Sequence, residues 1–182
     1  MSHLSKIMHS SGDWRNIKID AVAVGLYDDL KLSRQIQGVN RELGRGLSNA
    51  LTAKLIKGKV GEVKTVVGKK GAIAFVFGLG KRGELNAETL RKAGGGVSKA
   101  CLANKVESVS FIIPVEGKVP YFSQAVAEGL VLGSYQFNEF KTTGDNPFVI
   151  KSITIVGGHK KSVEKGAIIA NSVCLARNVD NR

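Results

Sequence analysis

Residues 78–83 read Gly78-Leu79-Gly80-Lys81-Arg82-Gly83, three glycines at the spacing GxGxxG. After a buried strand and before a helix, this spacing suits the pyrophosphate of a dinucleotide, because glycines let the backbone approach and a helix N-terminus faces the anion. Two details oppose that use here. The next helix starts near Asn86, so Gly83 precedes it. An acidic partner for the ribose is due about 20 residues on, at the end of the following strand; Glu107 stands at that strand's start and Glu116 comes late. A simpler anion site is the second possibility, with backbone N–H groups at a strand-to-helix turn beside Lys81 and Arg82. The third is a tight reversal at a strand end, where only glycine avoids a Cβ clash.

Cations are plentiful. Lys+Arg is 27 and Asp+Glu is 15, a net charge of +12 over 182 residues. The surplus is spread along the chain and forms no basic tail. Lys54, Lys57, Lys59, Lys64, Lys69, Lys70, Lys81 and Arg82 lie close in sequence and could track the phosphates of DNA. A solvated lysine-rich surface explains the same residues. With three tyrosines, seven phenylalanines and one tryptophan, backbone contact is favoured over base stacking.

Other chemistries lack their groups. His3, His9 and His159 show no metal-ligand spacing, and no HExxH, GxSxG or complete phosphate loop occurs. Asp28-Asp29 sits in a turn, where aspartate is common for local hydrogen-bonding reasons. Cys101 and Cys174 form no CxxC pair, which fits a reducing cytoplasm. No stretch matches a signal peptide or approaches the ~20 apolar residues of a membrane span.

The elements that must position these residues follow from periodicity. Residues 17–27 (IKIDAVAVGLY) alternate and then become continuously apolar, as in a strand buried on both faces. Ser33 caps a helix carrying Ile36, Val39, Leu43, Leu47, Leu51 and Leu55, weakened in the middle by Gly44 and Gly46. Strands are predicted at 62–67, 72–79, 108–113 and 152–156. Helices are predicted at 87–102 (capped by Asn86), 121–132 and 161–178, the last with Val163, Ala167, Ala170, Val173, Cys174 and Arg177 at helical spacing. Gly94-Gly95-Gly96 inside the second helix calls for either a break or another backbone packed closely, and close packing is favoured. Residues 142–148 (TTGDNPF) read as an exposed loop. The order β, α, β, β, α, β, α, β, α implies an α/β fold, a mixed sheet with helices on its faces.

Three segments, in this order, resemble the N-terminal domain of the cytosol (leucyl) aminopeptidase family. They are residues 72–93 (AIAFVFGLGKRGELNAETLRKA), 125–140 (AVAEGLVLGSYQFNEF) and 166–182 (GAIIANSVCLARNVDNR). The likeness spans most of residues 17–182. Gly94–Gly96 and Asn178-Val179-Asp180 depart from the family's pattern, leaving that helix open to irregularity and the domain junction open. The resemblance implies a macro-domain-like mixed sheet with helices on both faces. It implies three regions: a flexible extension at 1–16, the macro-like domain at 17–160, and a helix at 161–182 leading to a catalytic domain.

In that family, peptide hydrolysis belongs to the C-terminal domain. There two divalent ions, zinc or manganese, activate a bridging water. The family's ligand run Asn-Thr-Asp-Ala-Glu-Gly-Arg is absent here, and the chain is expected to be a piece of a longer enzyme. No catalytic, cofactor or metal residue carries over, and the segment alone is expected to be inactive. The resemblance implies as partners its own C-terminal catalytic domain and a homo-hexamer, with no membrane; some relatives are believed to bind DNA as a second role. The residues open to anion or nucleic-acid contact are Lys57, Lys59, Lys64, Lys69, Lys70, Lys81 and Arg82. Three functions are therefore expected as alternatives: a non-catalytic accessory domain, a basic nucleic-acid-binding module, or a nucleotide or ADP-ribose binder of macro-domain type.

Overall fold

Strand β2 (Ala21–Tyr27) is buried along its whole length. Its side chains alternate between two cores: Ala21, Ala23 and Tyr27 face one, Val22, Val24 and Leu26 the other. A strand covered on both faces needs helices above and below it. The computed structural model, which describes residues 6–114, 119–136 and 148–180 without the side chain of Lys70, supplies them.

Helices α1 (Arg34–Glu42) and α2 (Gly46–Thr52) follow β2. Next come β3 (Val63–Val67), β4 (Ile73–Gly80), α3 (Ala87–Ala103) and β5 (Ser108–Ile112). Helix α4 (Pro120–Ser134), β6 (Ser152–Val156) and α5 (Lys160–Asp180) complete the order. The first strand, β1 (Lys6–Ser10), precedes them all. The sheet order is β1-β6-β5-β2-β4-β3. Every pair is parallel except β3 with β4. Helices α3, α4 and α5 cover one face. The other core gathers Ile36, Val39, Leu43 and Leu47 of the α1–α2 region. Phe77 and Phe111 stack at 4.6 Å across the first core. This is the mixed, two-sided sheet that the element order implies.

Two local expectations fail. Residues 1–16 are read from sequence as a flexible extension, yet Lys6–Ser10 pair in parallel register with Ser152–Val156 and extend the sheet. Five residues with two polar ends carry too little apolar alternation to announce a strand, and their partner lies far along the chain. The single helix expected after Ser33 is two. Gly44 and Arg45 take left-handed conformations, φ +57° and +68°. The break is imposed by packing: a Cβ at Gly68 would lie 2.5 Å from the Leu43 Cα, so the β3–β4 turn presses on the helix there. Asn40 then braces the two pieces, donating to Ser48 Oγ at 2.7 Å and accepting from the Ser48 N–H at 3.1 Å.

The chain returns from β1 to β2 through a strap that contains Trp14, partly buried against the α1 side of the core. Asp13 caps its short 3-10 turn by accepting the Arg15 N–H at 3.0 Å, and the Arg15 side chain closes on the same carboxylate. These hydrogen bonds hold the Asp13 carboxyl down, from 3.8 to about 2. A depressed carboxylate supplies its stability above its unfolded pKa and loses it as pH falls through the folded one. Between pH 3.8 and 2 the strap therefore loosens. Trp14, the sole tryptophan, reports this as a shift of emission to longer wavelength. Asp13→Asn shows no such step; an equal step in that variant counts against the clamp.

Candidate functional site

The glycine turn after β4 is where sequence points first. Gly80 has φ +70° and closes the strand. Its N–H donates to the Gly58 carbonyl at 2.8 Å, and the Gly78 N–H donates to the Glu62 carbonyl at 2.8 Å. Residues 56–61 thus lie across the ends of β2 and β4. A Cβ at Gly78 would overlap the Lys59 carbonyl oxygen, and one at Gly58 the Tyr27 carbonyl oxygen. The Glu62 carboxylate shapes this crossing segment by accepting the Lys57 N–H at 3.0 Å and the Lys59 N–H at 3.3 Å. The glycines serve backbone against backbone, and these N–H groups are spent on the chain itself. Gly83 lies in a 3-10 turn, Arg82–Glu84, ahead of the Asn86 cap. No dinucleotide cradle forms at Gly78 and Gly80.

The cations of this region do not converge. Arg82 grips Asp29, with Nε–Oδ2 3.2 Å and Nη2–Oδ2 3.1 Å, and lies 4.3 Å above the Tyr27 ring. The Lys31 N–H, the Arg82 guanidinium beside it and the Lys31 charge keep the Asp29 carboxyl below its ordinary range. Arg82 therefore ties the turn after β2 to the turn after β4. Lys81 reaches Glu84 at 3.4 Å, an exposed pair worth about 0–1 kcal/mol. Lys57 and Lys59 are exposed in the crossing segment, and Lys64 is exposed on β3. Lys69 and Lys70 belong to the 3-10 turn Lys69–Gly71 at the other end of β3. Five residues of strand, about 17 Å, separate the two groups. β3 is an edge strand, and a lysine on an edge, here Lys64, hinders the addition of a further strand.

Thiolate and metal chemistry find no foothold among the described residues. Burial pushes the Cys101 thiol up to about 12 and raises that of Cys174, so neither is a ready thiolate. No group of three His, Cys, Asp or Glu is arranged to hold a metal ion among the described residues. The residues present therefore do not fit the two-ion centre that the resemblance brings to mind.

The helical layer offers a different kind of site. α4 lies between α3 and α5, and small residues set the spacing. A Cβ at Gly129 would overlap the Arg91 carbonyl oxygen; one at Gly133 would lie 2.6 Å from the Gly95 Cα. One at Gly166 would lie 2.5 Å from the Gln124 carbonyl oxygen. The triple glycine thus continues the helix and admits a close neighbour, as expected from sequence. Arg91 crosses to Glu128 at 2.8 Å and Ser98 Oγ donates to the Leu130 carbonyl at 2.7 Å. On α5, Val163, Gly166, Ala170, Cys174 and Asn178 face inward. Asn178 Oδ1 accepts from the Tyr135 hydroxyl at 2.9 Å. The opposite side carries Ile168, Leu175 and Val179, exposed by 67%, 57% and 71%. At spacings of seven and four they share one helix face. Of the stripe expected from sequence, Val163, Ala170 and Cys174 are buried and Ala167 is half-buried, but Val173 and Arg177 are exposed; the outer stripe obeys the same spacing rule.

A family model, the N-terminal domain of the cytosol aminopeptidase family, matches residues 23–144. The chain belongs to that family. A probable cytosol aminopeptidase of Aquifex aeolicus is 33% identical over 175 residues, covering 93% of this chain and 35% of the relative. One from Microcystis aeruginosa is 26% identical, covering 89% and 34%. The N-terminal domain thus spans about a third of the length of the curated relatives it matches. A tomato leucine aminopeptidase mutant has the same fold at a TM-score of 0.77 and 20% identity, over 94% of this chain and 36% of that one. The macrodomain of Mycobacterium tuberculosis DarG aligns at a TM-score of 0.60 and 14% identity, over 82% and 97%. The macro-domain-like sheet is therefore shared with the tomato leucine aminopeptidase and with the DarG macrodomain. No helix among the described residues is long and apolar enough to cross a membrane.

Proposed function

We propose that this chain is the non-catalytic accessory domain of a metal-dependent aminopeptidase and docks onto the enzyme's catalytic portion through the outer face of α5. The observation that carries the reading is the stripe of Ile168, Leu175 and Val179. A helix apolar on two opposite faces is a helix between two partners. The inner face has α4; the outer face needs a neighbour. Relatives about three times as long supply a candidate for it.

Residues 17–160 form the accessory unit in this reading, together with the β1 edge, and residues 161–182 connect it onward. The parent enzyme removes N-terminal amino acids from peptides in the cytoplasm. Its two divalent ions, zinc or manganese, sit wholly outside this domain, and its catalytic portions assemble as a hexamer with the N-terminal domains outside. The domain then limits access to the active site or holds neighbours apart. Purified alone, the chain gives no turnover of a leucyl chromogenic substrate with manganese or zinc. Joined to a catalytic portion it is part of an active enzyme. Turnover that follows the isolated chain through purification rejects the reading.

A further inference from the structure

In open parallel sheets, ligands sit beyond the carboxyl ends of the strands, where successive connections diverge. Here β2 leads to β4 on one side and β4 leads back to β5 on the other. At the ends of β2 and β4 the crossing segment 56–61 fills the space. At the ends of β5 and β6 a groove of about 470 Å³ stays open between the strap and α1, floored by Ile112 and Val156.

Three arginines line it, Arg15 from the strap and Arg34 and Arg41 from α1, against one carboxylate, Asp13. Asp13 is occupied by Arg15. Arg34 and Arg41 are exposed and have no ion pair among the described residues. They stand seven residues apart, so both project from the same side of α1. Between them lies Gly38, also lining the groove. A glycine inside a helix is destabilising relative to alanine. Elsewhere in this fold such glycines admit a neighbouring backbone. At Gly38 no atom from beyond its own helix turn lies within 4 Å of where a Cβ would stand. Packing therefore gives no reason for the glycine; an open groove does.

We infer that this groove binds the phosphate group of a small molecule. Guanidinium groups match phosphate oxygens in pairs of hydrogen bonds, and the volume suits a ligand of nucleotide size or less. Trp14 forms part of the wall. The site is independent of the α5 docking face.

Calorimetric titration of the chain with inorganic pyrophosphate, AMP and adenosine tests it. A phosphate-bearing probe binds saturably at low salt, and adenosine does not. The stronger of the two probes tells a free oligophosphate from a nucleotide. Arg34→Gln with Arg41→Gln weakens binding by about tenfold or more, the loss of charge-assisted hydrogen bonds. Gly38→Leu fills the groove without altering charge and abolishes binding, while its melting temperature stays level or rises. Absence of saturable binding by both phosphate probes, equal binding of adenosine and AMP, or binding that survives either set of substitutions in a folded protein overturns the inference.

Discussion

Gly129→Ala lowers the melting temperature by about 4–8 °C. The new methyl overlaps the Arg91 carbonyl oxygen on α3, a backbone atom that cannot rotate away. Relief requires α3 and α4 to separate, which also stretches the Arg91–Glu128 pair and the Ser98 hydrogen bond to Leu130. Overpacking of this kind costs about 1–3 kcal/mol and sometimes more. Helix propensity opposes it by about 1 kcal/mol, and the steric term wins because both colliding atoms belong to regular helix. With a steric cost at the upper end, a net loss near 2 kcal/mol and about 2–4 °C per kcal/mol at this chain length, the shift follows. Gly95→Ala is the control on the same interface. Its Cβ would stand 3.6 Å from the Gly129 carbonyl oxygen, an ordinary contact, so that variant melts at or above the parent temperature. Equal melting of the two variants, by calorimetry or circular dichroism, contradicts this account of the layer.

Replacing Ile168, Leu175 and Val179 together by lysine leaves the fold intact and abolishes attachment to a catalytic portion. All three side chains are mostly in solvent, and surface changes of this kind stay within about 0.5 kcal/mol each. In a docked assembly the same lysines would be buried without partners. A buried, unpaired charge costs several kcal/mol, so three of them reduce association by several orders of magnitude. The matching change on the inner face, Ala170→Lys, unfolds the helix from α4 instead, because Ala170 is fully buried. Pull-down or sedimentation with a separately expressed catalytic portion separates the two effects. Undiminished association of the triple variant removes α5 from the interface.

Local signals in the sequence translated well into structure. The Asn86 side chain accepts the Thr89 N–H at 2.9 Å and starts α3 where capping chemistry puts it. Ser33 does the same for α1 at 3.4 Å. Strand β6 and the doubly buried β2 and β4 follow from apolar runs between turn residues. What escaped is non-local. β1 is defined by a partner almost 150 residues away. The α1–α2 break is made by a turn from another part of the chain pressing on Leu43. The glycine turn at 78–83 has the spacing of a dinucleotide fingerprint, yet its meaning depends on residues 56–61, whose course over it no spacing rule reveals. The arginines of the open groove, Arg15, Arg34 and Arg41, sit on two elements and form no motif. The one hint was Gly38, a helical glycine that the packing does not need.

In the proposed function the chain is a folded accessory domain whose last helix is half of an interface. Amide hydrogen exchange along α5, for the chain alone and mixed with the catalytic portion of the Aquifex aeolicus relative, tests it most directly. Exchange slows on mixing across residues 168–179 and is unchanged on the β3 edge. Unchanged exchange along α5 in a mixture that does associate, with protection elsewhere, contradicts it.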